Sequence, residues 1–386
     1  MEQKHTGKGN RIRTEENRKR SRCFKLLFIV MAVLVLVLDL IFILLPDKEL
    51  SETENRTLQQ FPKLNFTTLT NGKFESRFDS YVADQFPARD AWVRLKSSVD
   101  RFAGKTENRG IYLGKDGYLI QDLVLPTDEV YEEKMAGIRT FASSHSDLKI
   151  TALIAPTALS VLKDHLPANA PAADEDAFMD RLKDDFTAAG VLFVDTRDAL
   201  KEAAKEGQVY YRTDHHWTTL GAYTAYEVLG EALMLPGIHT EYNRRLVTDS
   251  FSGTLTASSG FRSGETDQIE VFLPEPEPVY SVYYVEEGVR SASFYESKNL
   301  EVRDKYTIFF DGNHPEIKIE TSRDSKDVLL VLKDSYANCF VPFLAGDYNK
   351  IIMIDPRYYK GDLDGLIAAE KVTDVLYLYN VATFSE

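Results

Sequence analysis

An acid, two imidazoles and an indole stand in succession at Asp214-His215-His216-Trp217, inside the run Tyr210-Tyr211-Arg212-Thr213-Asp214-His215-His216-Trp217-Thr218. A carboxylate and an imidazole two residues apart project to one side of an extended segment, because side chains there alternate with period two. Asp214 and His216 meet that condition, and His215 is expected to point away. In that geometry Asp214 orients the His216 ring and stabilises its protonated form, which leaves the other ring nitrogen free as a general base. The run holds no nucleophile, so one has to arrive from elsewhere in the chain.

Ser335 is the candidate. It sits in Lys333-Asp334-Ser335-Tyr336-Ala337-Asn338, directly after the apolar run Val328 to Leu332 and at the head of an apolar helix expected over Ser335 to Ala345. A serine on the turn from a central parallel strand into a helix exposes its hydroxyl, and the helix N-terminus offers backbone N–H groups to a developing oxyanion. Serines also cap helices very often. Paired with an Asp-x-His loop, the nucleophile reading outweighs the cap. Metal binding is the other use of Asp214, His215 and His216. Adjacent histidines on opposite faces chelate one ion poorly, and no H-x-x-x-H or H-E-x-x-H pattern occurs. The remaining histidines (His5, His145, His165, His239, His314) are scattered. Neither a metal nor an organic cofactor is expected. Trp217 has two possible uses, stacking on a sugar face or packing beneath the loop, and the second is favoured.

The elements that must position these residues alternate. Helical spacing runs over Asp128 to His145, Asp174 to Ala189, Thr219 to Leu235 and Leu363 to Lys371. Short β-rich apolar runs occupy Lys149 to Ala155, Val191 to Asp195, Val328 to Leu332, Lys350 to Ile354 and Asp374 to Tyr379. Such alternation predicts an α/β fold with a mostly parallel sheet and flanking helices, its site at the C-terminal strand ends. From about 238 to 324 the alternation stops. Gln268 to Phe272, Val279 to Val285 and Tyr306 to Phe310 read as strands of a β-rich insertion, either a lid or platform or a decoration.

Upstream, Gly110 to Ile120 reads as a hairpin around Lys115-Asp116-Gly117. Phe74, Phe78, Tyr81, Val82, Phe86, Trp92, Leu95, Val99 and Phe102 fall at helical spacing that Pro87 divides into two helices. Core packing explains those aromatics better than a sugar-binding face. Residues 51–61 are polar. Asn55-Arg56-Thr57 and Asn65-Phe66-Thr67 match the glycosylation pattern, which is too short to carry weight. Leu26 to Leu45 is apolar apart from Asp39, and about twenty residues at ~1.5 Å each span a bilayer core.

Charge orients that segment. Residues 1–25 hold nine Lys or Arg against three Glu, a net of +6, so of the chain's −14 the remainder carries −20. A basic flank before the apolar segment puts the N-terminus in the cytoplasm and the bulk outside. No small-residue cleavage site follows it, which favours an uncleaved anchor over a signal peptide. The acidic body argues against nucleic acid or anionic lipid as its main partner. A composition of 44% hydrophobic and 27% charged residues is globular. Cys23 and Cys339 lie on opposite sides of the segment, so no disulfide joins them.

These residues carry a family resemblance. Arg212-Thr213-Asp214-His215-His216-Trp217-Thr218 with Gly221-Ala222 resembles the Asp-x-His-Trp-Ser/Thr signature of the alginate O-acetyltransferase proteins and the related bacterial DHHW proteins. Asp334-Ser335 resembles the Gly-Asp-Ser motif of their SGNH-hydrolase-like fold, with Lys333 in place of the glycine. Further matches lie at Glu54-Asn55-Arg56-Thr57-Leu58 with Phe61-Pro62, Asp84 to Arg89, Lys115 to Leu119, Ala155-Pro156-Thr157 with Leu166-Pro167, and Ile354-Asp355-Pro356-Arg357-Tyr358. The resemblance implies a triad of Ser335 as nucleophile, His216 as base and Asp214 as orienter. Asn338, Trp217, Arg212 and Tyr336 stand as substrate or oxyanion candidates beside the Ser335 backbone N–H. It also implies transfer of acetyl groups to a secreted or cell-surface polysaccharide. A membrane-bound O-acyltransferase would supply the acetyl group from across the bilayer. The expected organisation is a basic tail (1–25), an anchor (26–45), a juxtamembrane helical and hairpin region packing on the core (46–125), and an SGNH-like domain (126–386). An esterase with the same triad and a non-catalytic glycan-binding scaffold are the alternatives.

Overall fold

The computed structural model describes residues 6–48, 50–51, 56–63, 73–261 and 265–385. Residues 1–5 of the basic tail, Glu54, Asn55 and the Asn65-Phe66-Thr67 triplet lie outside the described residues. The chain divides into two compact units, Met1–Leu95 and Lys96–Glu386.

In the first unit, helix α1 (Thr6–Leu44) contains the stretch Arg20–Leu44, long and apolar enough to cross a membrane. Asp39 is exposed on it. Helix α2 (Lys73–Gln85) follows, and Pro87 separates it from α3 (Arg89–Phe102), as expected of a ring that cannot continue a helix. Tyr81 of α2 is buried edge-on to Phe42 and Phe61, its hydroxyl donating to Asp47 Oδ1 at 2.9 Å. The core packing expected along α3 is not found: Trp92, Leu95, Val99 and Phe102 form an exposed stripe, Phe102 at 96%. Their spacing is amphipathic, and spacing alone does not say what covers the apolar face.

The second unit begins within α3, at Lys96, and then forms the expected hairpin, β1 (Ile111–Leu113) against β2 (Leu119–Gln121). Lys115-Asp116-Gly117 turns the chain with Asp116 and Gly117 both at positive φ. Helix α4 (Asp128–Ser144), capped by Thr127, leads into β3 (Lys149–Ala155). Helix α5 (Glu175–Ala188), capped by Asp174, precedes a two-residue β4 (Leu192–Phe193), shorter than the run suggested. An unexpected α6 (Arg197–Glu206) then precedes α7 (Thr219–Leu233). Leu200, Ala203 and Ala204 were its apolar signal, muted by six charged neighbours.

Segment 238–324 is β-rich but not separate. Strands β5 (Glu241–Phe251) and β6 (Asp267–Glu275) form a two-stranded ribbon. Strands β7 (Tyr280–Tyr284), β8 (Val289–Ser291) and β9 (Glu316–Thr321) extend the main sheet instead. Tyr306 to Phe310 is not a strand. Lys305–Ile308 forms a 3₁₀ turn, which brings Tyr306 and Phe309 together with ring centroids 5.3 Å apart. The run lacks period-two alternation, since residues 306, 308, 309 and 310 are all buried.

Strands β10 (Val328–Lys333), β11 (Lys350–Ile354) and β12 (Asp374–Asn380), with α8 (Leu363–Glu370) between the last two, complete an eight-stranded sheet ordered β8-β7-β9-β11-β10-β12-β3-β4. The five strands from β11 to β4 are parallel, and β9 joins β11 antiparallel. Central strands are buried along their length, as in a sheet covered on both faces. Lys333 pairs with Leu378, and Ala155 with Asn380, so β10, β12 and β3 end at one edge. Ser335 lies two residues beyond that edge.

The turn after β3 is tied down by a buried acid. Glu175 accepts the Thr157 N–H at 2.7 Å and the Thr157 hydroxyl at 2.5 Å. Burial pushes its carboxyl up to about 7, against the pull of both Thr157 bonds. Folding therefore takes up a proton between the unfolded value of 4.5 and about 7, and this contribution to stability is full below 4.5 and is lost as pH rises through 7. Denaturant unfolding of the full chain in detergent micelles should show wild type exceeding Glu175→Gln by roughly 1–3 kcal/mol more at pH 5 than at pH 8. An equal difference at both pH values would contradict a buried, proton-taking Glu175.

Candidate active site

The Asp-His-His-Trp run is a closed loop, not an extended segment. Tyr210 and Trp217 bridge antiparallel across it, and the Tyr211 N–H donates to the His216 carbonyl at 3.2 Å. This overturns the expected alternation. The His215 ring does not point away: its centroid is 3.9 Å from that of His216, and its Nδ1 is 3.5 Å from Asp214 Oδ1.

The pairing of Asp214 with His216 is present all the same. Asp214 Oδ1 accepts from His216 Nδ1 at 2.6 Å and from the His216 N–H at 3.0 Å. Oδ2 accepts from the N–H and hydroxyl of Thr254 at 2.8 and 2.9 Å. Burial resists ionisation of this carboxyl, but His215, His216 and these bonds outweigh it and hold it well below the usual carboxylate range. Burial and then the neighbouring His216 push the His215 imidazole down to about 4.

The other ring nitrogen of His216 faces the nucleophile candidate. His216 Nε2 and Ser335 Oγ are 2.8 Å apart, across 119 residues of sequence. Ser335 is partly exposed, whereas Asp214 and His216 are buried.

The serine turn differs from the expected one. Ala337–Phe340 is a single α-helical turn that passes at Val341 into a 3₁₀ stretch, because Pro342 has no N–H to continue the helix. The first N–H groups after Ser335 are already bonded. Tyr336 donates to Asp334 Oδ1 at 2.8 Å, and Asn338 donates to the Ser335 carbonyl at 3.1 Å. The helix N-terminus thus offers no row of open donors. The Ser335 N–H has no acceptor among the described residues.

Three of the four other candidates are committed elsewhere, and Trp217 takes the favoured one of its two uses. Trp217 is fully buried, donates from Nε1 to the Tyr336 carbonyl at 3.0 Å and stacks on Phe340, so it packs beneath the loop as favoured. Tyr336 is buried, its hydroxyl bonded to the His215 carbonyl. Asn338 turns from Ser335: its Oδ1 accepts from Lys333 Nζ at 2.9 Å and its Nδ2 donates to the Gly312 carbonyl at 3.1 Å. Arg212 donates to Gln208 at 3.3 Å and lies 5.4 Å over the Tyr118 ring, committed to the hairpin.

Lys333 fills the position where the resembled motif has glycine. It is fully buried, 3.9 Å from Asp355, which Arg357 grips at 2.9 and 2.7 Å. Burial pushes its pKa down to about 8, opposed by Asp355 and Asp334. Asp334 itself spans two elements, accepting from the Tyr336 N–H and from the Asn380 N–H at 2.8 Å each.

Sequence reasoning missed three supports. Asp267, at the start of β6, takes the Arg212 and Thr213 N–H groups and the Thr213 hydroxyl at 2.9, 2.8 and 2.5 Å. Thr254 holds Asp214. Tyr306 stacks on His216 with centroids 3.8 Å apart. A lone Asp, Thr or Tyr in a polar insertion gives no local signal of such contacts. A metal remains a poor fit. The ligand atoms of Asp214, His215 and His216 lie within 4.8 Å of one another. Both Asp214 oxygens, however, are already taken by donors.

Over residues 112–293 the chain matches the family described as the SGNH hydrolase-like domain of acetyltransferase AlgX. The expected resemblance holds. The matched SGNH-like stretch takes in Asp214 to Trp217 and stops before Ser335. Proteins named probable alginate O-acetylase AlgJ are similar: that of Pseudomonas putida is 27% identical over 183 residues, 46% of this chain and 47% of its own. The Pseudomonas aeruginosa protein of that name is 28% identical over 169 residues, 42% and 43%. The chain thus spans about half the length of these relatives. A DHHW family protein from Eubacterium siraeum shares the fold, with TM-score 0.60 at 23% identity over 71% of this chain and 91% of that one. Bacillus cereus PatB1 does so with TM-score 0.58 at 19% identity over 72% and 97%.

Gly253 packs against the acid of the site. A Cβ there would lie 2.2 Å from Asp214 Cβ. Gly253→Ala should therefore lower unfolding stability by about 1–3 kcal/mol in denaturant titrations, through overpacking. A variant as stable as wild type would mean that this contact is slack.

Proposed function

We propose that the chain is an O-acetyltransferase that modifies a cell-surface or secreted polysaccharide outside the membrane, through an acetyl ester on Ser335. The observation that carries this is the 2.8 Å approach of His216 Nε2 to Ser335 Oγ, with Asp214 on the opposite ring nitrogen. Relatives named alginate O-acetylase support the acyl class and the polysaccharide acceptor.

The chemistry follows from the geometry. Ser335 Oγ attacks the acetyl carbonyl of the donor while His216 Nε2 takes its proton. Asp214 favours the resulting imidazolium. The open Ser335 N–H is the available donor to the oxyanion. The proton passes from His216 to the departing donor group, leaving acetyl-Ser335. A sugar hydroxyl then attacks the ester, giving its proton to His216, and the acetylated sugar leaves as Oγ recovers that proton. Water in place of the sugar would make the enzyme an esterase, and the partly exposed Ser335 admits either acceptor.

The N-terminal apolar helix with its basic flank supports a single-pass anchor with the N-terminus cytoplasmic. A membrane-bound O-acyltransferase is then the fitting acetyl source, since the proposed nucleophile faces away from cytoplasmic acyl donors. The polysaccharide is the acceptor, and no metal or organic cofactor enters.

Cells carrying Ser335→Ala should lose the O-acetyl content of their surface polysaccharide relative to wild type. In detergent micelles a sulfonyl fluoride should label the full-length wild type and leave Ser335→Ala unlabelled. Asp214→Asn should lower aryl acetate turnover by roughly 10³–10⁴-fold. Unlabelled wild type together with normal acetylation in the Ser335→Ala strain would sink the enzyme reading and leave a glycan-binding scaffold. Increased polysaccharide acetylation in the mutant would favour the esterase.

A further inference from the structure

Tyr306 belongs to the 238–324 segment, remote in sequence from both halves of the site, yet it touches both. Its ring lies on the His216 imidazole, centroids 3.8 Å apart and planes 13° from parallel. The His215 ring is 3.9 Å from the same imidazole at 36°. Two rings cannot occupy one face at that distance, so His216 is held between them. The Tyr306 hydroxyl donates to the Ser335 carbonyl at 3.1 Å and lies 3.3 Å from Cys339 Sγ. Tyr211 and Phe309 wall the phenol in, at 6.3 and 5.3 Å. Tyr306 is buried.

We propose that Tyr306 is a positioning residue of this site, its ring fixing the plane of His216 and its hydroxyl fixing the backbone that carries Ser335. The inference rests on the acyl-transfer reading above. The two contacts act on different partners of one proton transfer. Stacking holds Nε2 on the line to Oγ, and the phenol's electron-rich face favours the imidazolium that forms as the proton moves. The hydroxyl ties the serine peptide to the same residue, so the 2.8 Å separation is set from both sides. Sub-ångström control of this kind separates a productive nucleophile from an adjacent one.

The groups facing His216 decide how the effect is read. They are Asp214 and His215 from its own loop, Ser335 and Tyr336 from the serine turn, and Tyr306 from the segment. Asp334 and Asp304 act on His215, and Cys339 and Tyr211 on the phenol. Tyr306→Phe and Tyr306→Leu leave every one of these groups but residue 306 itself in place. Removing a ring that favours the imidazolium moves the limb on which the rate rises with pH toward lower pH.

The test is the pH profile of sulfonyl fluoride labelling at Ser335, measured on the full-length chain in detergent micelles, with thermal melts of each variant. Tyr306→Leu should move the limb down by about half to one unit, and lower the plateau rate by roughly tenfold. Tyr306→Phe keeps the ring, so its limb should coincide with wild type while its plateau falls roughly threefold. Should the Leu variant not fold, Tyr306→Trp, which restores a stacked face, is expected to keep the wild-type limb. The inference is overturned if Leu leaves limb and plateau unchanged, or if Phe or Trp moves the limb as far as Leu is expected to. Unlabelled wild type, or labelling that persists in Ser335→Ala, would instead sink the serine reading itself.

Discussion

A single contact gives the rest of the structure its purpose: the approach of an imidazole on one loop to a hydroxyl on a turn 119 residues later. Neither partner is placed by its own neighbours alone. The hydroxyl stands beyond the end of a buried parallel strand, where the sheet fixes the backbone within narrow limits. The imidazole stands on a loop whose shape is imposed by Asp267, Thr254 and the Tyr210–Trp217 bridge.

Loop and turn are then clasped to each other. The Trp217 indole donates to the Tyr336 carbonyl, and the Tyr336 hydroxyl donates to the His215 carbonyl. These bonds run in opposite directions between the same two segments, and both donor residues are buried, so leaving either donor unpaired costs about 1–3 kcal/mol. The two aromatic residues that looked like ligand contacts are the fasteners of the site. Ser335 and His215 stay partly exposed beside them.

What the sequence makes legible is the part written in local pattern. Lys149–Ala155 and Lys350–Ile354 are strands over the stretch their apolar runs suggest, since such runs in a parallel sheet are buried on both faces and need no alternation. The coming together of Asp214, His216 and Ser335 was legible because an Asp-x-His pair and a serine after a buried strand fall in one chain. The side on which His215 lies was not, because period two applies to extended backbone and the loop is bent. The short helix after Ser335 could have been foreseen at Pro342. Tyr306, Asp267 and Thr254 act only through tertiary contact. The extension of the sheet by β7 and β9 was equally hidden, since nothing in a short strand names its partner.

Lys333 makes the floor of the serine turn interdependent. Its ammonium shares an unexposed space with Asp355, Asp334 and Asn338, all of them buried, with Arg357 gripping Asp355 from the rim. Taking away Asp355 leaves the Lys333 ammonium without its nearest carboxylate where no water solvates it, at about 3–5 kcal/mol, whereas taking away Lys333 leaves Asp355 still held by Arg357. A neutral residue at 355 is tolerated only alongside an uncharged one at 333, whereas 333 can lose its charge with Asp355 still paired to Arg357. The dependence between the two positions therefore runs one way.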